Sequence, residues 1–145
     1  MNNGDIDVDL GSGIAAFESK EFARSAALLG PIAEDGHPEA QYRMAIMLQN
    51  GLGMVVNGER ASAYMKGAAE SGMAIAQHGL GFMYMEGECV EANAELALEW
   101  FGKAAEQGLQ GALTTMGLMY AEGRGVEKDP VKAKEYYKAA GFDDM

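Results

Sequence analysis

Two histidines and a single cysteine supply all the imidazole and thiol in this chain, so any metal site or nucleophilic centre has to be built around them. His37 sits in the turn "DGHPEA", where a polar residue beside a helix start is ordinary. His78, in "AQHGLGFMYMEG", falls inside a periodic segment and is the better candidate for contact with a ligand. No Cys-x-x-Cys or His-x-x-x-His spacing occurs, so one chain has no tetrahedral zinc set. Cys89, in "EGECVE", is flanked by Glu86, Glu88 and Glu91, whose charge opposes the thiolate that reactivity requires. The stretch "GRGVEKD" has glycines but neither a preceding strand nor the Lys-Ser/Thr of a phosphate loop, and reads as a turn. With no workable set of nucleophile, acid and base, the expectation is a protein that is not an enzyme and uses no cofactor or metal.

Composition narrows the partners. The chain has 145 residues, 48% hydrophobic and 23% charged, enough to form one domain with an apolar core. Its 22 acidic and 11 basic residues leave a net charge of −11, which repels phosphate backbones and anionic lipid. Nucleic acid and membrane are therefore not expected partners. No apolar run approaches the roughly 20 residues of a membrane span, and "MNNGDIDVDLG" lacks the basic and apolar regions of a signal peptide. The expected location is cytoplasmic, or that of a processed exported form.

What positions these residues is an internal repeat. The blocks "AQYRMAIMLQNGLGMV" from Ala40, "AQHGLGFMYMEGECVE" from Ala76 and "ALTTMGLMYAEGRGVE" from Ala112 are separated by steps of 36 residues. In each, a small residue (Ala45, Gly81, Gly117) allows close helix approach, a bulky one follows (Leu48, Tyr84, Tyr120), and a glycine (Gly51, Gly87, Gly123) breaks the pattern. A second helix is announced by the caps Asn57, Asn93 and Asp129, the last followed by Pro130. It carries the small residues Ala61, Ala97 and Ala133, then Tyr64, Trp100 and Tyr136, and Gly72 and Gly108 close it in the first two blocks. The N-terminal segment "FESKEFARSAALLGPIAEDG" keeps Ser25, Glu34 and Gly36 in phase with Ala61, Glu70 and Gly72 and reads as a degenerate first hairpin. The spacing predicts helices over about 8–18 and 21–34, the second bent at Pro31.

The blocks "AQHGLGFMYMEG", "LALEWFGKAAEQG" and "MGLMYAEGRGVEKDPVKAKEYYKAA" resemble Sel1-like repeats, relatives of tetratricopeptide repeats. The resemblance implies an all-α fold, a right-handed superhelical α/α solenoid of about four helix-turn-helix repeats. The expected organisation is one domain over 1–145: a flexible tail at 1–7, a degenerate hairpin at 8–39, and repeats at 40–75, 76–111 and 112–145. Two departures stand out. Cys89 replaces the loop glycine found at Gly53 and Gly125, and "YYKAAG" lacks one residue before its double alanine, which predicts a shifted or frayed last turn.

Such repeats imply a non-enzymatic adaptor, and a second apolar stripe marks where a partner would lie. At ~100° per residue, Ala76, Leu80, Met83 and Tyr84 share one helix face while His78, Phe82 and Met85 lie near the opposite one. The equivalents are Tyr42, Ile46 and Gln49 before it and Thr114, Leu118 and Ala121 after it, with Leu10, Ile14 and Phe17 at the same spacing in the first hairpin. By analogy with tetratricopeptide arrays these residues line a concave face rimmed by Glu18, Glu86 and Glu122, suited to a basic or amphipathic protein segment. Two other readings fit the same residues: a closed groove whose stripe is core, and an assembly module that self-associates, as a weak homodimer, through its end faces.

Overall fold

The computed structural model describes residues 3–142, and among them every regular element is an α-helix. In chain order they are α1 (Asn3–Glu18), α2 (Phe22–Glu34), α3 (Pro38–Asn50), α4 (Gly58–Glu70), α5 (Ala74–Glu86), α6 (Ala94–Glu106), α7 (Gln110–Glu122) and α8 (Pro130–Ala139). Consecutive helices pair as four hairpins. The chain divides after Gly72 into two compact units, α1–α4 and α5–α8, where the sequence suggests a single domain. Because the 36-residue phase runs through Gly72 unbroken, nothing in the repeat pattern marks that division.

The expected caps form. The side-chain oxygens of Asn57, Asn93 and Asp129 accept hydrogen bonds from the backbone N–H groups of Arg60, Leu96 and Lys132, each at 3.0 Å. These bonds satisfy donors that the first turn of a helix leaves without partners. Gly51, Gly87 and Gly123 close α3, α5 and α7 with φ of 67°, 69° and 70°, the left-handed conformation that glycine adopts without strain. At ten residues α8 is shorter than the thirteen of α4 and α6, in keeping with the residue missing from "YYKAAG".

Small residues set the distance between the helices of a hairpin. A methyl group at Gly81 would stand 2.5 Å from Phe101 Cε1, one at Gly117 2.8 Å from Tyr137 Cδ1, and one at Gly13 2.5 Å from Leu29 Cδ2. Phe101 and Leu29 are wholly buried, as are Ala45, Leu80 and Met119. The Gly13–Leu29 contact shows how the first hairpin keeps the packing while losing the phase. Its turn spans only residues 19–21, where α3 and α4 are joined by 51–57. Ser25, at the position of Ala61, is also buried and donates its hydroxyl to Gly13 O at 2.8 Å.

One local expectation changes. Residues 3–7, read as a flexible tail, are the first turns of α1, while residues 1 and 2 lie outside the described residues. Ile6, in these turns, lines a cleft together with Ile32, Asp35, Gly36 and His37 of the α2–α3 turn region. Helix α2 spans Phe22–Glu34 with Pro31 inside it.

Candidate partner-binding faces

In the second unit the stripe is built on an aromatic cluster. The His78 ring meets Phe82 edge-on at 4.9 Å between centroids and Phe101 at 5.4 Å, and Phe82 meets Phe101 at 5.4 Å with an interplanar angle of 81°. Phe101 is wholly buried, whereas Phe82 keeps 39% of its surface exposed and Leu118 on α7 keeps 37%. The cluster therefore has a buried foundation and a solvent-facing ring. His78, Met85 and Thr114 are half-buried around it.

Thr115 ties α5 to α7. Its hydroxyl donates to Gly111 O at 2.9 Å, so the oxygen is left to accept from His78 Nε2–H at 3.3 Å. That assignment places a proton on His78 Nε2. Burial among apolar rings lowers its pKa, since the charged form would lose hydration there.

In the first unit Leu10, Ile14 and Phe17 on α1 and Tyr42, Ile46 and Gln49 on α3 are all half-buried. Phe17 packs edge-on against Phe22 at 5.6 Å, and the Arg43 guanidinium lies over its ring at 5.0 Å. Arg43 also pairs with Glu39 at 3.8 Å. The sequence reading placed only acidic groups beside this stripe, so Arg43 adds a cation that it did not include. Tyr42 has its hydroxyl pKa raised, chiefly by burial.

None of the twelve stripe residues is fully buried. The reading that makes the stripe simple core does not describe Phe82 or Leu118. The acidic rim is altered at one point: Arg124, in the loop after α7, holds Glu86 in an ion pair at 2.6 Å. Glu18 and Glu122 are exposed.

Sequence reasoning missed Phe101. The repeat phase pairs Trp100 with Tyr64 and Tyr136, yet Trp100 is only half-buried and the core position is the next residue, filled by Met65 and Phe101. The signal was available: Phe101 lies four residues after Ala97 and three before Ala104, both wholly buried, so it shares their face. A second feature away from the stripe is a cleft of about 320 Å³ lined by Ala33, Glu34, Gln41, Arg60, Ala63 and Tyr64. Across it the Tyr64 hydroxyl donates to the Glu34 carboxylate.

Cys89 is partly exposed, and its thiol pKa is pushed up by burial first and by the Glu88 carboxylate second. Its φ of 68° matches Gly53 at 71° and Gly125 at 72°, so the cysteine has taken over a left-handed glycine position. Among the described residues no three His, Cys, Asp or Glu side chains converge on a possible metal site, and no helix is long and apolar enough to cross a membrane.

Comparison with known proteins accounts for the architecture. The Sel1 repeat model matches at residues 38–73, 74–109 and 112–141. A Sel1 repeat protein from Oxalobacter formigenes has a similar structure, with 32% identity and a TM-score of 0.79 over 91% of this chain and 53% of that one. The protein c5321, a protective antigen present in uropathogenic Escherichia coli strains and displaying an SLR fold, matches with 32% identity and a TM-score of 0.84 over 97% of this chain and 31% of its own. The chain thus spans about half and about a third of the lengths of these two relatives. No functionally curated protein matches the sequence.

Proposed function

Because this chain belongs to the Sel1 repeat family, a family generally of protein-interaction scaffolds, we propose that it is a non-enzymatic adaptor whose exposed helical stripes take up a segment of a partner protein. The observation that carries this reading is Phe82, a ring 39% exposed yet held edge-on by His78 and by the wholly buried Phe101. An aromatic already fixed in place loses little conformational freedom on binding, which is the condition for an anchor. Leu118, Thr114 and Met85 supply apolar area around it, and methionine adapts to partners of different shape. In the first unit Leu10, Ile14, Phe17, Tyr42, Ile46 and Gln49 form the equivalent surface. A net charge of −11 favours a basic or amphipathic segment and speeds its encounter.

Selection from a displayed random-peptide library, followed by binding measurements on the Phe82→Ala variant, tests the proposal. Basic peptides with an apolar anchor should emerge, and the variant should bind them more weakly by about 1–3 kcal/mol with its helical spectrum retained. Selected peptides that bind the variant as tightly as the parent would remove Phe82 and its stripe from the site. Self-association through the end faces is the alternative that the sequence raises.

A further inference from the structure

The cleft between α2, α3 and α4 carries two opposite charges that do not pair with each other. Glu34, the last residue of α2, lines it from one side, and Arg60, in the first turn of α4, from another. Among the described residues neither takes part in an ion pair. The Tyr64 phenol links them: its hydroxyl donates to the Glu34 carboxylate, and the Arg60 guanidinium lies 5.8 Å from the centre of its ring. Tyr64 is only 8% exposed, so the core fixes this link, whereas Glu34 and Arg60 are exposed and open to a ligand.

The backbone adds charge of the same sign at each of these residues. The carbonyl end of α2 brings partial negative charge to Glu34, and the N–H end of α4 brings partial positive charge to Arg60. Ala33 and Ala63 supply the apolar part of the lining. Gln41 donates from Nε2 to Ala33 O at 3.2 Å, which leaves its amide oxygen buried without a hydrogen-bond partner. A volume of about 320 Å³ stands at the lower end of the range of small-molecule sites. Repetition does not account for this arrangement. Two periods on, the counterparts of Arg60 and Tyr64 are Lys132 and Tyr136. There the lysine lies over Tyr120 at 4.9 Å and Tyr136 stacks on Tyr120 at 5.7 Å, so the same residue types serve packing instead.

An anion in this cleft would meet Glu34 and a net charge of −11, and a cation would meet Arg60. A dipolar ion satisfies both, through charge-assisted hydrogen bonds at each end. In an α-amino acid one carbon bears both the ammonium and the carboxylate group, so the two charges fall within a single small cleft. We infer that the α2–α3–α4 cleft is a binding site for a free α-amino acid with an apolar side chain, its carboxylate on Arg60, its ammonium group on Glu34 and its side chain against Ala33 and Ala63. None of these residues belongs to the peptide-binding stripe, so the site is independent of that reading.

NMR titration of the 145-residue chain with L-leucine, N-acetyl-L-leucine and L-leucinamide tests the inference. L-leucine should shift the Tyr64 and Ala63 resonances saturably. The N-acetyl form, which lacks the ammonium group, and the amide, which lacks the carboxylate, should each bind at least about tenfold more weakly. Arg60→Gln and Glu34→Gln change exposed side chains, and circular dichroism checks that each stays helical. Arg60→Gln should erase the preference for L-leucine over its amide and keep that over the N-acetyl form; Glu34→Gln should do the reverse. Lys132→Gln, at the counterpart position, should bind L-leucine as the parent does. The inference is overturned by the absence of a saturable Tyr64 shift up to about 10 mM L-leucine, by a blocked derivative that binds as tightly as L-leucine, or by either variant retaining both preferences. Phe82→Ala, which removes the peptide anchor, should leave L-leucine binding unchanged.

Discussion

Burial holds the His78 imidazole below its ordinary pKa of 6.5, and that shift has a definite consequence for stability. The unfolded chain takes up a proton near pH 6.5 while the folded chain resists until the pH is lower, so falling pH favours unfolding. Stability from this group is complete above pH 6.5 and declines as the pH drops toward the lower folded-state value. A urea-denaturation series from pH 7.5 down to pH 5 should therefore show a loss that His78→Gln reduces, and an unchanged slope in that variant would assign the effect elsewhere. Cys89 offers a test that needs no titration. At φ 68° a side chain is strained where glycine is not, so Cys89→Gly should stabilise the protein by about 0.5–1 kcal/mol. Chemical denaturation showing a loss instead would mean that the thiol's packing outweighs the backbone strain. The sequence marked Cys89 as the odd residue in a glycine position, and the backbone supplies the reason that this matters.

Helix pairing depends on the glycines that face a bulky partner, and two glycines of one hairpin separate the effects of space and propensity. Gly81→Ala would drive a methyl to 2.5 Å from the wholly buried Phe101 and should cost about 1–3 kcal/mol despite alanine's better helix propensity. Gly102, in α6, has no atom within 4 Å of the added methyl, so Gly102→Ala should gain up to about 1 kcal/mol. Equal thermal shifts of the two variants would show that packing against Phe101 does not set the α5–α6 distance. These elements were legible in advance because their caps, glycines and small residues recur every 36 residues. The first hairpin was less so: its three-residue turn breaks the phase, and the cleft that Ile6 shares with Ile32 joins positions far apart in the chain.

A net charge of −11 on a chain of this size means self-repulsion in the compact state, and salt should relieve it. The thermal midpoint is expected to rise between about 20 mM and about 200 mM sodium chloride, since screening reaches charges separated by more than roughly 10 Å. A falling midpoint would mean that ion pairs such as Arg124–Glu86, at 2.6 Å, outweigh the general repulsion. Family membership, helical class and hairpin number were all determined by the sequence alone, because each depends on local chemistry repeated at a fixed interval. Tertiary structure decided what depends on which surfaces meet. It buried Phe101 and left Phe82 and Leu118 exposed, brought Arg43 over Phe17 and Arg124 to Glu86, and divided the chain after Gly72. A helical pattern states that a residue lies on a given face, but solvent exposure is fixed only when neighbouring hairpins have taken their share of that face.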